Sequence, residues 1–346
     1  MYKGRLFMAK LVQTIKEARK CENLNDPIDN YFWDYIAMFF SRIFIKLHII
    51  PNVITVLSGL VGVAGGILLI FDTLALNIVG VLLICLSVVF DACDGQVARL
   101  TKKYSNFGRT LDGLMDSLVY ISIYVALCIR LFNVNIPFTN TPWGWWILIP
   151  ALVSLYFHQA QSRTVDYYKN LHMYMLGIHN ELSRSSDIKK DIAAAPKRSF
   201  ERFRLNCYLS YTKTQEMEAR ETQKLLNKIE ECGGISPSVR EAFAAKSNKY
   251  VPFTNLLTFN LRSIVLFILL FLPGHAEFYF FPFVIVAIEI ARIVIIVLYE
   301  KLSKSVLETA SFEPVETESA EPIAEAAATL AEPETEAAED QTNTEQ

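Results

Sequence analysis

Residues 73–94 read TLALNIVGVLLICLSVVFDACD, an apolar run that ends abruptly in two aspartates. The run approaches the length of an α-helix that crosses a bilayer, and no acidic or basic side chain interrupts it before Asp91. Asp91 and Asp94 are three residues apart, so they share one face of such a helix. The stretch predicts a transmembrane helix that brings two carboxylates to the membrane boundary.

The rest of the chain has the same apolar character. Its 346 residues are 52% hydrophobic and carry a formal net charge of −3. Six apolar runs approach the length of a bilayer span, so we predict an all-α integral membrane protein with six transmembrane helices. We place these helices at residues 53–71, 73–90, 114–132, 143–161, 253–272 and 278–299.

Composition divides the chain into five segments. Residues 1–50 form an amino-terminal segment whose aromatic-rich part, 31–49, is either an interfacial helix or a belt buried around the bundle. Residues 51–163 hold transmembrane helices 1–4, 164–250 form a helical insertion, and 251–304 hold the last two transmembrane helices. Residues 305–346 are rich in Glu, Ala, Thr and Pro, so we expect a disordered acidic tail.

Basic residues predict the orientation. The connections near residue 72, at 133–142 and at 273–277 lack Lys and Arg, whereas the loop from Arg99 to Arg109 is rich in them. By the positive-inside rule, both termini and the aspartates face the cytoplasm. The amino terminus has no apolar core of a cleavable signal peptide.

Two further aspartates, Asp112 and Asp116, follow on the next apolar segment at a spacing that also shares one helix face. Four carboxylates beside a bilayer need a cation, a base partner or a solvated cavity, and together they suggest a divalent metal with oxygen ligands. Nearby glycines allow close backbone approach, while Arg99 and Arg109 supply positive charge for phosphate. A calcium-binding EF-hand loop is excluded, because its ligand spacing and later Glu are absent.

The full pattern D-x2-D-G-x2-A-R-x8-G-x3-D-x3-D resembles the signature of the CDP-alcohol phosphotransferase family. Its fixed positions are Asp91, Asp94, Gly95, Ala98, Arg99, Gly108, Asp112 and Asp116. The segment from Pro51 to Thr55, PNVIT, is similar to the family's P-N-x-[IL]-T opening.

The resemblance implies transfer of a substituted phosphate from a CDP-linked donor to an alcohol, with release of CMP. It implies that Asp91, Asp94, Asp112 and Asp116 hold Mg²⁺ or Mn²⁺, and that Asp116 is also the general base. The expected neighbours of the donor's cytidine and phosphates are Thr55, Gly95, Ala98, Arg99, Gly108 and Arg109. The family also implies membrane lipid substrates and a homodimer.

Donor and acceptor remain open at this point. CDP-diacylglycerol attacked by a polar alcohol, with inositol or inositol phosphate favoured, is the first alternative, because six spans suit it better. CDP-choline or CDP-ethanolamine attacked by diacylglycerol is the second. Polar residues in or beside the predicted spans are candidates for an acceptor pocket. They are His158, Gln161, Arg163, Asn260 and Arg262.

Other classes of function fit the sequence less well. A divalent-cation carrier or channel predicts acids near the midplane of the membrane, whereas these lie at helix ends beside basic residues. A scaffold acting through its acidic tail leaves the motif unexplained. Nucleic-acid binding has no motif or strongly basic domain to support it, and the six scattered cysteines lack the C-x-x-C pairs of a zinc site.

Overall fold

The structure is a computed structural model of the 346-residue chain. It describes residue 24 and residues 32–103, 105–178 and 182–313, apart from the side chains of Asn106 and Arg109. Most of the amino-terminal segment before residue 32 and nearly all of the predicted acidic tail therefore lie outside the described residues.

The described residues are mostly helical and form no strand, which confirms the predicted all-α class. The α-helices are α1 (Asp34–Lys46), α2 (Pro51–Leu68), α3 (Leu74–Thr101), α4 (Asn106–Leu131), α5 (Leu148–Met175), α6 (Ser185–Ala194), α7 (Phe200–Glu218), α8 (Arg220–Glu231), α9 (Pro237–Tyr250), α10 (Phe259–Leu270) and α11 (Glu289–Thr309). A 3₁₀ segment, Val251–Leu257, precedes α10, and a π-helical segment, Phe283–Ile288, leads into α11.

Five helical segments, rather than the six predicted, are long and apolar enough to cross a membrane. They are Pro51–Leu68, Leu74–Thr101, Thr110–Leu131, Pro237–Leu270 and Ala276–Thr309. The predicted fourth span, 143–161, falls on a 3₁₀ turn and the first half of α5. Helix α5 has the length of a span, but polar residues such as His158, Gln161 and Arg163 make it too hydrophilic to join that set. The five spans make the chain an integral, multi-pass membrane protein.

Helices α2, α3 and α4 pack closely because small residues line their contacts. A Cβ atom on Gly62 would lie 2.5 Å from Ser87 Oγ of α3 and 2.5 Å from Val119 Cγ2 of α4. Across the α2–α3 contact, the hydroxyl of Ser87 donates to the Ser58 carbonyl at 2.9 Å, and that of Ser58 donates to the Ser87 carbonyl at 3.0 Å. Glycine and serine therefore bring three membrane helices into direct backbone contact.

Helix α1 packs against the second half of α3. Ser41 donates to Gln96 Oε1 at 3.1 Å, and Gln96 Nε2 donates to the Asp34 carbonyl at 3.2 Å. The opposite face of α1 exposes large apolar side chains, including Phe39 and Ile43. The helix is thus bound to the bundle along one face and apolar on the other.

The end of the bundle away from the aspartates is closed by Arg130, near the end of α4. Its guanidinium contacts Asp72 Oδ1 at 2.6 Å, Asn77 Oδ1 at 2.8 Å and the buried Glu277 Oε1 at 2.8 Å. These partners lie in the α2–α3 connection, at the start of α3 and between α10 and α11. Arg130 therefore joins three chain segments with charge-assisted hydrogen bonds, of which the one to Glu277 is buried.

The insertion folds against the second half of α5 and the last part of α11. A shared apolar core includes Tyr168, Leu225, Phe243 and Tyr299, and α11 continues to Thr309 with Val306 buried. The helix thus extends beyond residue 305, where the acidic tail was expected to begin.

Candidate active site

The four aspartates lie where α3 ends and α4 begins. Helix α3 ends at a left-handed residue, Lys102, and Ser105 starts α4 by accepting a hydrogen bond from Gly108 N at 2.8 Å. This short connection lets the last turns of one helix face the first turns of the next. The i,i+3 and i,i+4 spacings put the aspartates on one face of each helix, and the connection turns these two acidic faces toward each other.

Three of the four carboxylates converge. One oxygen each from Asp91, Asp112 and Asp116 lies within 4.8 Å of the others. Asp91 and Asp112 are half-buried, and Asp116 is the exposed member of the cluster. Three negative charges at this separation repel one another by about 3 kcal/mol per pair at an effective dielectric constant of about 20.

The donor set fits a hard divalent cation. All three ligands are carboxylates, the ligand type that Mg²⁺ and Mn²⁺ prefer, and a cation between them relieves their repulsion. The exposed Asp116 leaves one side open to a phosphorylated substrate. Within the described residues, this is the group of three or more acidic, His or Cys side chains close enough to share a metal.

Asp94 has a different environment from the other three aspartates. Its side chain is buried, and its Oδ2 accepts a hydrogen bond from the hydroxyl of Thr55 on α2. The Thr55 hydroxyl also lies 3.2 Å from the Pro51 carbonyl. The structure thus groups three carboxylates and fixes the fourth through the beginning of α2.

The predicted donor-binding residues lie on the same helix ends as the acids and at the beginning of α2. The guanidinium of Arg99 folds back over Gly95, with Nη2 3.1 Å from where a Cβ atom of Gly95 would lie. At the start of α4, a Cβ atom on Gly108 would lie 2.7 Å from Asn52 Oδ1, so glycine permits this approach of α2. Ala98 lies half-buried in the last turns of α3, and the side chain of Arg109 is outside the described residues.

Part of the chain that contains this site matches a known protein family. Residues 48–172 match the family model described as CDP-alcohol phosphatidyltransferase. This segment is a CDP-alcohol phosphatidyltransferase domain. Comparisons with curated proteins and with solved structures gave no match.

The CDP-alcohol phosphatidyltransferase domain begins just before α2 and ends within α5, so it contains all four aspartates and Thr55. The family comprises phosphotransferase enzymes that move a phosphate group from a CDP-alcohol to an acceptor, and it is generally dependent on divalent cations. The match extends far beyond the eight signature positions, across four helices.

The predicted acceptor-pocket residues occupy several places. Gln161 Oε1 accepts from Arg262 Nη2 at 3.1 Å, and both side chains are buried. Gln161 Nε2 lies 3.4 Å from Glu289 Oε2, and Arg292 pairs with Glu289 at 2.6 Å. A buried polar network therefore links α5, α10 and α11.

His158 lies nearer the aspartates, on the side of α5 that faces α4. Its ring stacks on Tyr120 at 4.4 Å between centroids, and its Nδ1 lies 3.4 Å from the Tyr124 hydroxyl. The other two candidates are separate: the Arg163 carbonyl accepts from Gln215 in the insertion, and Asn260 lines a small apolar cavity with Trp33. Asn260 and Arg262 also lie outside the matched domain.

Two residues beside the site were absent from the predicted set. The side chain of Asn52 lies against Gly108, and its position within the PNVIT segment could have indicated that it lies near the site. Tyr120 follows Asp116 by one helical turn, contacts Gln159, and donates to Ser117 Oγ at 3.1 Å. The i+4 spacing from Asp116 was its signal, but a lone tyrosine in an apolar segment more often packs in a core.

Proposed function

We propose that this protein is a membrane enzyme of phospholipid synthesis that transfers the phosphatidyl group of CDP-diacylglycerol to a polar alcohol and releases CMP. The observation that carries the proposal is the convergence of Asp91, Asp112 and Asp116 within 4.8 Å, inside a CDP-alcohol phosphatidyltransferase domain. The acids face the end of α3 where Arg99 supplies positive charge.

The metal we propose is Mg²⁺ or Mn²⁺, held by Asp91, Asp112 and Asp116, with Asp94 as a further ligand oriented by Thr55. When bound, such an ion supplies positive charge to the diphosphate and makes CMP a better leaving group. The buried Thr55 hydroxyl holds the Asp94 carboxylate in one direction and occupies its second oxygen.

Asp116 is the proposed general base. Its carboxylate accepts the proton of the acceptor hydroxyl while the acceptor oxygen bonds to the donor phosphorus distal to cytidine. The bond from that phosphorus to the oxygen of CMP breaks, and CMP leaves. Exposure of Asp116 gives the acceptor access, since the other two members of the cluster are more enclosed.

The donor's nucleotide is proposed to lie along the end of α3 and the starts of α2 and α4. Gly95, Ala98 and Thr55 are neighbours for cytidine, and Gly108 removes a side chain where α2 and α4 meet. The proposed phosphate contacts are Arg99 and Arg109. Of the two glycines, Gly108 has less free space than Gly95, because the side chain of Asn52 occupies the position that a Cβ atom on Gly108 would need.

For the acceptor we favour inositol or inositol phosphate. The support is the buried polar network of Gln161 and Arg262 together with His158, which offers hydrogen-bond donors and acceptors for a polyhydroxylated molecule. Arg163 and Asn260 remain secondary candidates. The alternative direction, CDP-choline or CDP-ethanolamine with diacylglycerol as acceptor, uses the same aspartates.

The site and both termini are proposed to face the cytoplasm, because the loop between α3 and α4 is basic and the connections at the other end lack Lys and Arg. This orientation requires α5 to cross the membrane in addition to the five apolar segments. The bundle is proposed to form a homodimer within the membrane, as the family implies. A cation carrier is the candidate from another class, and transport without CMP release would identify it.

The test is CMP release by purified protein in detergent with Mg²⁺ or Mn²⁺. CDP-diacylglycerol is offered with inositol, inositol phosphate, serine or glycerol phosphate, and CDP-choline or CDP-ethanolamine is offered with diacylglycerol. Turnover with inositol or inositol phosphate, lost in Asp116→Asn, supports the proposal. Turnover only with diacylglycerol as acceptor reverses the assigned direction, and no turnover with any pair in folded protein contradicts the proposed reaction.

A further inference from the structure

Helices α6 and α7 form a projecting hairpin outside the matched domain. Its base is fixed to the rest of the protein: Gln215 Nε2 donates to the Arg163 carbonyl at 3.0 Å, and Glu218 pairs with Arg292 at 2.9 Å. Within the hairpin, Ser185 N donates to Glu216 Oε1 at 2.8 Å. The contact between the first residue of α6 and the end of α7 makes the two helices antiparallel.

The tip of the hairpin, residues 195–204, is held by contacts within the hairpin. Ser199 caps α7 by accepting from Arg202 N at 3.1 Å, and Arg202 Nη1 donates to the Ala195 carbonyl at 3.4 Å. The last contact of α7 with α5 is made by the Tyr211 hydroxyl, which donates to Asp166 Oδ2 at 3.3 Å. From Tyr211 to Phe200, α7 rises about 16 Å at about 1.5 Å per residue. The tip can therefore reach a surface well away from its anchor.

The tip combines exposed aromatic rings with basic charge. Phe200 and Phe203 are 71% and 65% exposed, and their ring centroids lie 6.5 Å apart on one face of α7. Lys197, Arg198 and Arg204 flank them, and none forms an ion pair with any residue that the structure describes. Two solvent-exposed phenylalanines have no packing role in the hairpin, so the tip is suited to an amphipathic partner.

The exposed phenylalanines and basic residues of the tip, together with the position of the base near predicted membrane helices, favour a lipid partner. Arg163 lies two residues after the predicted end of the fourth span, and Arg292 lies within the last apolar segment, Ala276–Thr309. Helix α5 runs back toward the aspartate end of the bundle, so the hairpin starts at the membrane boundary on that side. We propose that its tip docks on anionic lipid headgroups, with Phe200 and Phe203 entering the interface and the basic residues contacting phosphates.

The acidic tail is a competing occupant. Residues 314–346 contain ten Asp or Glu and no Lys or Arg, so their charge also complements the tip. They contain no aromatic residue, and only Val315, Ile323 and Leu330 are large and apolar. A lipid interface covers an exposed phenylalanine pair, whereas this tail has little apolar surface to cover it, and we therefore assign the tip to lipid.

The experiment is photo-crosslinking with p-benzoylphenylalanine at residue 203 of the full chain, in nanodiscs of phosphatidylcholine with or without phosphatidylglycerol. Glu201, exposed on the face of α7 opposite Phe203, receives the same probe as the matched control. Adducts are identified by mass spectrometry. Protein yield and thermal stability establish that each variant is folded, and neither probe position belongs to the proposed active site.

We expect lipid adducts at residue 203 at least about fivefold above those at 201, increasing with phosphatidylglycerol. The triple variant Lys197→Gln, Arg198→Gln, Arg204→Gln should reduce them by at least about tenfold, since each basic residue near an anionic surface strengthens binding about fivefold. Adducts to peptides of 314–346, adducts to a second copy, or equal lipid labelling at both positions would overturn the assignment. The result does not depend on turnover and so stands apart from the proposed reaction.

Discussion

The hydroxyl of Thr55 on α2 donates a hydrogen bond to Oδ2 of Asp94 on α3, so the beginning of one membrane helix orients an acidic side chain on the next. Both residues are buried. This contact sets Asp94 apart from the three aspartates that converge, and it gives the PNVIT opening a physical role.

Removing that hydroxyl should impair the reaction without unfolding the protein. Thr55→Val leaves the buried Asp94 oxygen without its donor, and a hydrogen bond to a charged group contributes about 1.5–3 kcal/mol. We expect at least about a tenfold lower rate of CMP release. Thr55→Ser retains the hydroxyl and should stay near the native rate; equal activity of the Val and Ser variants would remove the proposed role of Thr55.

Packing of α2 against its neighbours makes a stability prediction. A Cβ atom on Gly62 would lie 2.5 Å from atoms of both Ser87 and Val119, whereas one on Gly113 meets nothing within 4 Å. Gly62→Ala should therefore destabilise the fold by about 1–3 kcal/mol through overpacking, and Gly113→Ala should not. Thermal unfolding in detergent compares them, and equal transition temperatures would contradict the close packing.

The Arg130 cluster should behave as a coupled unit. Arg130→Met leaves the buried Glu277 carboxylate without its guanidinium partner, a loss of about 3–5 kcal/mol. Adding Glu277→Leu removes that unpaired charge and should restore part of the stability. The double-mutant cycle is measured by thermal unfolding. Strictly additive effects of the two substitutions would show that the ion pair is not coupled.

His172, which lies beyond the predicted end of the fourth span, predicts a pH dependence. Its Nδ1 lies 2.6 Å from Ser247 Oγ, and burial lowers the pKa of its imidazole below the usual value of 6.5. Below about pH 6.5 the His172 imidazole binds a proton in the unfolded chain, whereas burial disfavours its protonated form in the folded protein. The stability is therefore complete above about pH 6.5 and falls as the pH drops toward the folded-state pKa.

His172→Gln cannot titrate, so its unfolding temperature should fall less than that of the native protein between about pH 7.5 and 5.5. Unfolding scans across this range in one detergent provide the comparison. An unchanged pH slope in the variant would contradict a neutral buried His172.

Local spacing was sufficient to predict the acidic faces, because i,i+3 and i,i+4 positions fix which side chains share a helix face. The same i,i+3 spacing joins Glu289 and Arg292, whose side chains pair at 2.6 Å. The all-α class followed from apolar runs alone.

The remaining features depend on contacts distant in sequence. Thr55 and Asp94 are 39 residues apart, and Gln161 and Arg262 are 101 apart, so no local period reveals either pair. The polarity of α5 was visible in the sequence, but counting apolar runs treated its first half as an ordinary span. Its polar face contacts Tyr120 of α4 and Arg262 of α10, which explains why a bundle helix can be so hydrophilic.

Asp91, Asp112 and Asp116 are proposed to hold together the divalent ion on which transfer depends. The most direct measurement is the Mn²⁺ dependence of CMP release from CDP-diacylglycerol and inositol, in native protein and in each Asp→Asn variant, with Asp187→Asn on exposed α6 as control. We predict saturable activation, abolished by EDTA, unchanged in the control and reduced by at least about a hundredfold in each cluster variant. Metal-independent release of CMP, or native activity in any one of the three cluster variants, would show that these aspartates do not together hold an ion required for transfer.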